Sequence, residues 1–443
     1  MLTQNQILNA GVVGCGGAGF PTHVKLNASA DTIVCNAAEC EPLLHKDKEI
    51  LRHFPSQVIA GLTAAAEMTG AQRVVIGLKR KYADLIDLLT PQLPDFMEIC
   101  PLADVYPSGD EFILVYETLG RVIPPGGLPI QVGAVVLNVE TAFNIANAVQ
   151  NVPVTGKFLT VTGEVQTPMS LFAPIGATFA DCIAAAGGST VKDPVCLVGG
   201  PMMGRLEDHP ETARVTKTTG GIILLPQDHP LVSRMRTPWN NTVRIAKSGC
   251  DQCSHCTEMC PRNLLGHPVE PHKAMRSLLF GSDFLVPGSQ FCSGCGLCSA
   301  ISCPEGLDPR SVIQANRKKW LESGKKIEPI FRRNRADLHM KNRQTPIPRL
   351  VHRLGLTDYD VHADWNETVS RTLAEVSEVR ISLRQHIGAP CVPTVRPGDE
   401  VSVGDTIAVP GEKDGKLQLG AAIHASIDGR IVEITDTECV IRK

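Results

Sequence analysis

Two cysteine runs limit the possible folds of this 443-residue chain more than any other feature. The first run has the spacing C-x2-C-x2-C-x3-C and precedes a proline; it consists of Cys250, Cys253, Cys256 and Cys260. The second run also precedes a proline and has one more residue before its last cysteine; it consists of Cys292, Cys295, Cys298 and Cys303. Runs of this kind hold [4Fe–4S] clusters, so we expect two clusters.

The assignment of cysteines to clusters follows the pattern of two-cluster ferredoxins, in which the last cysteine of each run binds the other cluster. One expected set is therefore Cys250, Cys253, Cys256 and Cys303, and the other is Cys292, Cys295, Cys298 and Cys260. Structural zinc is the alternative for sets of four cysteines, but zinc ribbons use two separated pairs. Because PHKAMRSLLFG between the runs has a helical pattern, we expect a helical ferredoxin-type domain over 246–322.

Composition excludes several classes of function. A formal net charge of −3 and an aromatic content of 4% argue against a nucleic-acid partner. No apolar stretch approaches the roughly 18 residues of a membrane-spanning helix, so no membrane insertion is expected. The first residues lack the pattern of a signal peptide, and half of the 16 cysteines lie in the two runs, which favours a reducing cytoplasm.

Hydrophobic patterns divide the rest of the chain into further domains. Buried-strand segments such as ADTIVCNA, RVVIGLK and GAVVLNV alternate with helical segments and predict an α/β domain over 1–150. One of these helical segments is SQVIAGLTAAAEMTG, which is expected to end at Gly70. The alternating KFLTVTGEV and a short helix predict a β-grasp module over 151–205. The other predicted parts are a connecting segment over 206–245 with one strand (GGIILLP), a basic helical linker over 323–387 and an all-β unit over 388–443. The 13 Lys/Arg residues within 310–353 fit either a docking surface for an acidic partner or a solvated helical face.

A glycine-rich loop near the N-terminus predicts a ligand site. Residues 14–25 read GCGGAGFPTHVK, in which closely spaced glycines expose backbone N–H groups. The strand that follows ends in NAAECEP, and α/β folds bind ligands at this end of their strands. The segments YPSGDE and LNVET come later, at 106–111 and 137–141. The loop alone would fit a plain turn, but the combination predicts an anion-binding site.

These motifs resemble the FMN-carrying subunit of respiratory complex I and the C subunit of Rnf-type electron-transport complexes. The resemblance implies that FMN binds to Gly14, Gly16, Gly17, Gly19, Lys25, Asn36, Glu39, Tyr106, Gly109, Glu111 and Asn138. It also makes Glu41 and Glu111 candidates for orienting nicotinamide, and it assigns no acid–base catalytic residue. The aromatic residues that follow the lysine in the complex I type are replaced by Leu26 and Asn27, which brings the chain nearer to the Rnf type.

The C-terminal unit resembles a biotinyl/lipoyl-type barrel-sandwich, with V-x-x-G-D repeated and an A-S-I-D-G-R-I turn. No lysine stands at the hairpin tip over 424–428, which favours a structural module over a swinging carrier. The predicted parts follow one another along the chain in a fixed order: a flavin domain, a soluble-ligand-binding β-grasp (SLBB) module, the two cluster motifs and a terminal barrel-sandwich. That order resembles the cobalamin reductases of 1,2-propanediol-utilisation microcompartments, the PduS type.

This second resemblance implies a multidomain α/β oxidoreductase that passes electrons from NADH through FMN and two [4Fe–4S] clusters to cobalamin. The cobalt would be reduced from Co(III) to Co(II) and Co(I), which reactivates the B12 cofactor of propanediol degradation. The implied location is a bacterial microcompartment in the cytoplasm, with the cobalamin adenosyltransferase and shell proteins as partners. Two alternatives remain: a peripheral NADH/ferredoxin component of an Rnf-like complex, and a non-catalytic module whose clusters sense redox state or stabilise the fold.

Overall fold

The computed structural model describes residues 2–280, 286–324, 333 and 335–443. Its first unit is an α/β domain built on a parallel sheet of strand order β3-β2-β1-β5. In chain order the elements are α1 (Gln4–Asn9), α2 (Thr22–Lys25), β1 (Thr32–Ala37), α3 (Lys46–His53), α4 (Pro55–Thr69), β2 (Arg73–Lys79), α5 (Ala83–Leu89), β3 (Met97–Leu102), β4 (Val105–Tyr106), α6 (Glu111–Leu119), β5 (Ala134–Asn138) and α7 (Val139–Val149). The strands predicted at β1, β2 and β5 are confirmed, as is the helix α4.

Successive side chains of the parallel sheet pack on two helical layers. Ile33 belongs to the core shared with α4 and α7, whereas Val34, its neighbour on β1, packs with α6. Gly61 lets α4 approach α7 closely, because a Cβ at this position would lie 1.8 Å from the Ala142 carbonyl oxygen. The packing fixes the carboxyl ends of β1 and β5, where the site begins.

The second unit is a β-grasp sheet with one helix. Its elements are β6 (Gly156–Gly163), β7 (Met169–Pro174), α8 (Phe179–Ala185), β8 (Val195–Val198), β9 (Arg205–Glu207) and β10 (Gly221–Leu225). The strand order is β7-β6-β10-β8-β9, so β10 lies in the middle of the sheet. All five residues of β10 are buried, because β10 pairs with β6 on one side and β8 on the other. The sequence pattern had placed this strand in the connecting segment over 206–245.

The cysteine region is helical. Its elements, with the helix that precedes it, are α9 (Pro230–Met235), α10 (Trp239–Gly249), α11 (His255–Glu258), α12 (Pro261–Leu264), α13 (Pro271–Ser277) and α14 (Pro309–Glu322). Over the described part of 246–322 we find no strand, in agreement with the predicted helical ferredoxin-type domain. The proline after Cys260 begins α12, because its fixed φ suits the first helical turn.

The last part of the chain combines a linker with two small sheets. Its elements are β11 (Thr345–Pro346), α15 (Ile347–Arg353), α16 (Glu367–Leu373), β12 (Glu378–Ser382), β13 (Cys391–Pro393), β14 (Glu400–Val401), β15 (Thr406–Pro410), β16 (Glu412–Lys413), β17 (Lys416–Leu417), β18 (Ile423–His424), β19 (Gly429–Ile434) and β20 (Glu438–Arg442). The terminal sheets have the orders β12-β20-β19-β14 and β13-β15-β18.

The predicted basic linker over 323–387 has a mixed structure. Residues 325–332 and 334 lie outside the described residues. The described remainder contains α15 and α16, but also β11, which pairs with β4 of the first domain, and β12, which joins the terminal sheet.

The hairpin tip of the terminal unit is docked on the β-grasp domain. The Ser426 hydroxyl donates to the Ile175 carbonyl at 2.6 Å, and His424 is buried. These contacts fit a structural module rather than a mobile carrier. None of the described helices is long and apolar enough to cross a membrane.

Candidate redox site

The glycine loop forms a closed turn whose outer side is open. The Gly14 amide donates to the Phe20 carbonyl at 2.9 Å, and Gly19 has a φ of +75°, which favours glycine. Gly16 and Gly17 are exposed, and a Cβ on Gly17 would meet no atom within 4 Å. The loop therefore offers backbone and free space on one side, as an anionic phosphate group requires.

Two asparagines lie beside the loop, at the ends of β1 and β5. Asn36 and Asn138 are register partners, and a Cβ on Gly16 would lie 3.1 Å from Asn138 Cβ. The Asn36 amide donates to the Gly109 carbonyl at 2.8 Å. The Asn138 amide donates to an Asp47 oxygen at 2.7 Å. The fold thus brings the loop, both asparagines and Gly109 into one area.

Lys25 is held at the edge of this area. Its Nζ lies 3.1 Å from Glu111 Oε1 and donates to the Val136 carbonyl at 2.7 Å. The side chains of Lys25 and Glu111 are 32% and 35% exposed, so both can reach a bound molecule. An ammonium group has three N–H donors, and a third therefore remains for a ligand.

Glu39 has a contact that the sequence did not predict. Its carboxylate accepts from the backbone amides of Asp47 at 3.0 Å and Lys48 at 3.4 Å, at the N-terminus of α3. Burial and the neighbouring charge of Asp47 raise the pKa of Glu39. Glu39 therefore stabilises the N-terminus of α3. Since Asp47 of this helix accepts from the Asn138 amide, Glu39 also helps to hold Asn138 in place.

A buried ion network beneath the asparagines was not predicted from the sequence. Lys46 Nζ lies 2.6 Å from Asp47 Oδ1 and 3.2 Å from Glu140 Oε2, and Glu140 also pairs with Lys157 of β6. Burial opposes the charge of Lys46, but Asp47 and Glu140 raise its pKa, whereas burial lowers the pKa of Lys157. In the sequence, the signal for this network was the high density of charged residues in HKDKE, a few residues after a buried strand.

Tyr106 contacts the cysteine domain, and Glu41 contacts the turn between β8 and β9 of the β-grasp domain. The Tyr106 hydroxyl donates to the Cys295 carbonyl at 2.7 Å. Glu41 Oε2 accepts from the Met202 amide at 2.9 Å, and burial raises the pKa of Glu41 to about 7. Its other oxygen is buried without a hydrogen-bond partner in the part of the chain that is described.

The cysteines form two groups of four. The first group lines one cavity and consists of Cys250, Cys253, Cys256 and Cys303. The second group consists of Cys260, Cys292, Cys295 and Cys298. Burial raises the pKa values of the Cys260 and Cys298 thiols, and the neighbouring Cys292 and Cys295 raise them further. The Gln252 and Gln314 amides donate to the sulfur atoms of Cys250 and Cys292 at 3.0 and 3.3 Å. Each group therefore draws one cysteine from the other run.

Several contacts hold the second cysteine group against the first domain. One is the Tyr106 hydrogen bond, and another is the ion pair between Arg262 and Asp110 at 2.8 Å. Arg262 also stacks on Phe112, with its guanidinium carbon 3.5 Å from the ring centroid. Asp110 in turn caps α6, the helix that carries Glu111. The first group is more open, since Cys253 is exposed.

The residues present fit both kinds of cofactor. Two groups of four thiols match the ligand chemistry of [4Fe–4S] clusters, and N–H donors to sulfur are typical of such sites. The open face at Gly17 and the cation of Lys25 fit a phosphate group. The side-chain amides of Asn36 and Asn138 fit hydroxyl groups.

Sequence models of four domain families match the chain. They are the Nuo51 FMN-binding domain over 7–147, the SLBB domain over 158–206, the 4Fe-4S dicluster domain over 249–308 and the RnfC barrel sandwich hybrid domain over 357–442. The multidomain fold class expected from the sequence is thus confirmed.

Similar proteins include two that match over almost their whole length. The cobalamin reductase PduS of Citrobacter freundii is 40% identical over 99% of this chain and 96% of its own length. The protein of the same name from Salmonella typhimurium is 41% identical over 98% of this chain and 94% of its own length. The C component of the Na(+)-translocating ferredoxin:NAD(+) oxidoreductase complex of Acetobacterium woodii is 34% identical over 59% of this chain and 58% of its own length.

Proposed function

The chain belongs to the family of the PduS cobalamin reductases, and on this premise we propose that it carries electrons from NADH to cobalamin. The observation that supports this most directly is the position of the second cysteine group, held against the flavin domain by Tyr106 and Arg262. When bound, FMN would accept the two electrons of a hydride and the clusters would transfer single electrons. The cobalt of cobalamin would be reduced from Co(III) to Co(II) and Co(I).

The residues of the flavin domain would bind and orient FMN and NADH. The amides of the loop at Gly16 and Gly17, with Lys25, would hold the phosphate group. Asn36 and Asn138 would hold hydroxyl or ring atoms, and Glu111 would orient nicotinamide. The ion network around Glu140 keeps Asn138 in place through Asp47.

The cysteine domain would hold both clusters and set their solvent access. The second group is buried at its contact with the flavin domain, with Cys295 8% exposed. The exposed Cys253 belongs to the first group, which makes that group the more accessible one to a large substrate. Cobalamin is too large to enter a narrow cavity, so contact with an exposed group suits it.

The test is an anaerobic assay of the cofactor-loaded protein with NADH and hydroxocobalamin. We expect NADH to bleach the flavin absorbance and the cobalamin spectrum to change to that of Co(II). Free FMN with NADH serves as the control for the uncatalysed reaction. Bleaching without cobalamin reduction would disprove the proposed acceptor, and no bleaching would disprove NADH as donor.

The similarity to the C component of ferredoxin:NAD(+) oxidoreductase complexes supports one alternative, in which ferredoxin replaces cobalamin. That similarity covers 59% of the chain, whereas the PduS relatives match 99% and 98% of it. Replacing hydroxocobalamin by ferredoxin in the same assay distinguishes the two. Faster reduction of ferredoxin than of cobalamin would favour the alternative.

We extend the proposal to location and partners. The chain would act in the bacterial cytoplasm, inside a propanediol-utilisation microcompartment, beside its shell proteins and the cobalamin adenosyltransferase. Co(I) is strongly reducing, so an enzyme that consumes it by adenosylation has to be close by. A fluorescent fusion is expected to colocalise with shell proteins and to spread through the cytoplasm in cells that lack the shell. A diffuse signal in both strains would contradict this location.

A further inference from the structure

A second group of metal-ligand side chains lies away from the glycine loop, where α3 meets the segment before α16. Glu49, His362 and Asp364 each place one ligand atom within 4.8 Å of the other two. His362 Nε2 lies 2.9 Å from Asp364 Oδ1 and 3.5 Å from Glu49 Oε1. Atoms bound to one ion at about 2.0–2.1 Å lie roughly 3 Å apart, so these spacings suit a shared cation.

The hydrogen bonds of His45 decide which nitrogen of His362 carries a proton. The Ala363 amide donates to His45 Nδ1 at 3.3 Å, so this nitrogen is an acceptor. His362 Nδ1 lies 3.2 Å from the same atom, so any hydrogen bond between the two rings has His362 as its donor.

With the proton on Nδ1, Nε2 is the nitrogen of His362 that a metal ion can bind. In its neutral form His362 directs the lone pair of Nε2 toward two carboxylates, and three electron pairs then converge on one point. A histidine that binds a metal ion usually donates its other N–H to a neighbouring acceptor, as His362 does to His45.

The present partners of Glu49 do not prevent it from binding a cation. Its Oε1 accepts from Arg52 at 2.7 Å, and its Oε2 accepts from the Trp365 amide at 2.9 Å. Arg52 also contacts Asp84 at 2.5 Å. The Arg52 guanidinium would therefore still have Asp84 as an acceptor if a cation bound to Glu49 Oε1.

We propose that Glu49, His362 and Asp364 bind a divalent cation of the zinc class. One imidazole nitrogen and two carboxylates are a ligand set that Zn²⁺ accepts, with water completing the coordination. The ion would join α3 of the flavin domain to the segment that leads into the terminal sheets. Asp364 is 80% and His362 47% exposed, which gives the ion a route from solvent. The proposal does not depend on the redox function.

The test uses the cluster-loaded full chain, stripped of loosely bound metal and dialysed against limiting Zn²⁺. X-ray absorption at the zinc edge distinguishes this site from the cysteines, because Zn–N and Zn–O bonds measure about 2.0–2.1 Å and Zn–S bonds about 2.3 Å. We expect nitrogen and oxygen ligands with an imidazole pattern. Zinc with sulfur ligands only would overturn the proposal.

Two variants of exposed residues locate the site. His362→Gln and Asp364→Asn should each weaken zinc binding at least about tenfold, as the loss of a ligand predicts. His352→Gln, which changes an exposed histidine on α15, should bind zinc as the parent does. Zinc should raise the unfolding temperature of the parent and of His352→Gln, but not of His362→Gln. Equal nitrogen and oxygen coordination in the parent and in His362→Gln would also overturn the proposal.

Discussion

Serine in place of Cys303 is expected to remove one [4Fe–4S] cluster and to leave the other in place. Cys303 lines the same cavity as Cys250, Cys253 and Cys256, although its neighbours in sequence belong to the second run. Clusters are held by thiolates, so the loss of this ligand should release about four of about eight iron atoms per chain. Iron and sulfide analysis with electron paramagnetic resonance of the reduced protein measures the result.

Double variants test whether the last cysteine of each run binds the cluster of the other run. If Cys250 and Cys303 hold the same cluster, the double variant Cys250→Ser/Cys303→Ser should still contain about four iron atoms. Cys250→Ser/Cys260→Ser should lose both clusters, because the thiols of Cys292 and Cys295 are close enough to Cys260 to raise its pKa. Without the exchange, the two double variants would show the opposite iron contents.

A matched control separates ligand loss from a general effect of replacing cysteine. Cys100 on β3 is partly buried and lies outside both groups, so Cys100→Ser should retain about eight iron atoms. Loss of all iron from Cys250→Ser/Cys303→Ser, with Cys100→Ser intact, would disprove the exchange. The single variants alone cannot decide this, because each one loses the same amount of iron under either assignment.

The fold was predictable where the signals are local. The buried runs of β1, β2 and β5 and the glycine that ends α4 are short patterns that report their own structure. Pairing between distant segments carries no such signal. The sequence therefore identified β10 as a strand but not as the middle of the β-grasp sheet. It also missed β12, whose partner β20 lies at the end of the chain.

In the candidate site, too, local motifs were predictable from the sequence and contacts between distant segments were not. The spacing of the cysteines and of the glycine loop indicates chemistry directly, because each motif supplies its ligands from one stretch of chain. The network of Lys46, Glu140 and Lys157 draws on three separate segments, and no spacing links them. The resemblance to flavin-carrying proteins suggested a ligand contact for Glu39, whereas the structure shows it accepting amides of α3.

Glu140→Gln is expected to lower the free energy of unfolding by about 3–5 kcal/mol, the usual cost of breaking a buried ion pair. Glu140 is 1% exposed and pairs with Lys46 and Lys157, so a neutral amide leaves two buried ammonium groups short of negative charge. Its Oε1 also accepts from the Phe158 amide at 3.1 Å. Denaturant titration followed by circular dichroism measures the loss.

The same substitution should also reduce the FMN content. Lys46 pairs with both Glu140 and Asp47, and Asp47 accepts from the Asn138 amide beside the glycine loop. A change in the network therefore reaches the area where FMN is proposed to bind. The ratio of flavin to protein absorbance reports this effect, with the iron content as an internal reference for the cysteine domain.

Two further variants show whether Glu140→Gln loses stability because the charges that it leaves unpaired are buried. Glu98→Gln removes an exposed carboxylate that accepts from Arg73 at 2.6 Å, and it should cost only about 0–1 kcal/mol. Adding Lys157→Met to Glu140→Gln should recover part of the lost stability, because it removes one of the unpaired charges. Equal losses in Glu140→Gln and Glu98→Gln would mean that Glu140 contributes no more than a surface ion pair. A double variant less stable than Glu140→Gln would mean that Lys157 stabilises the fold through its packing rather than its charge.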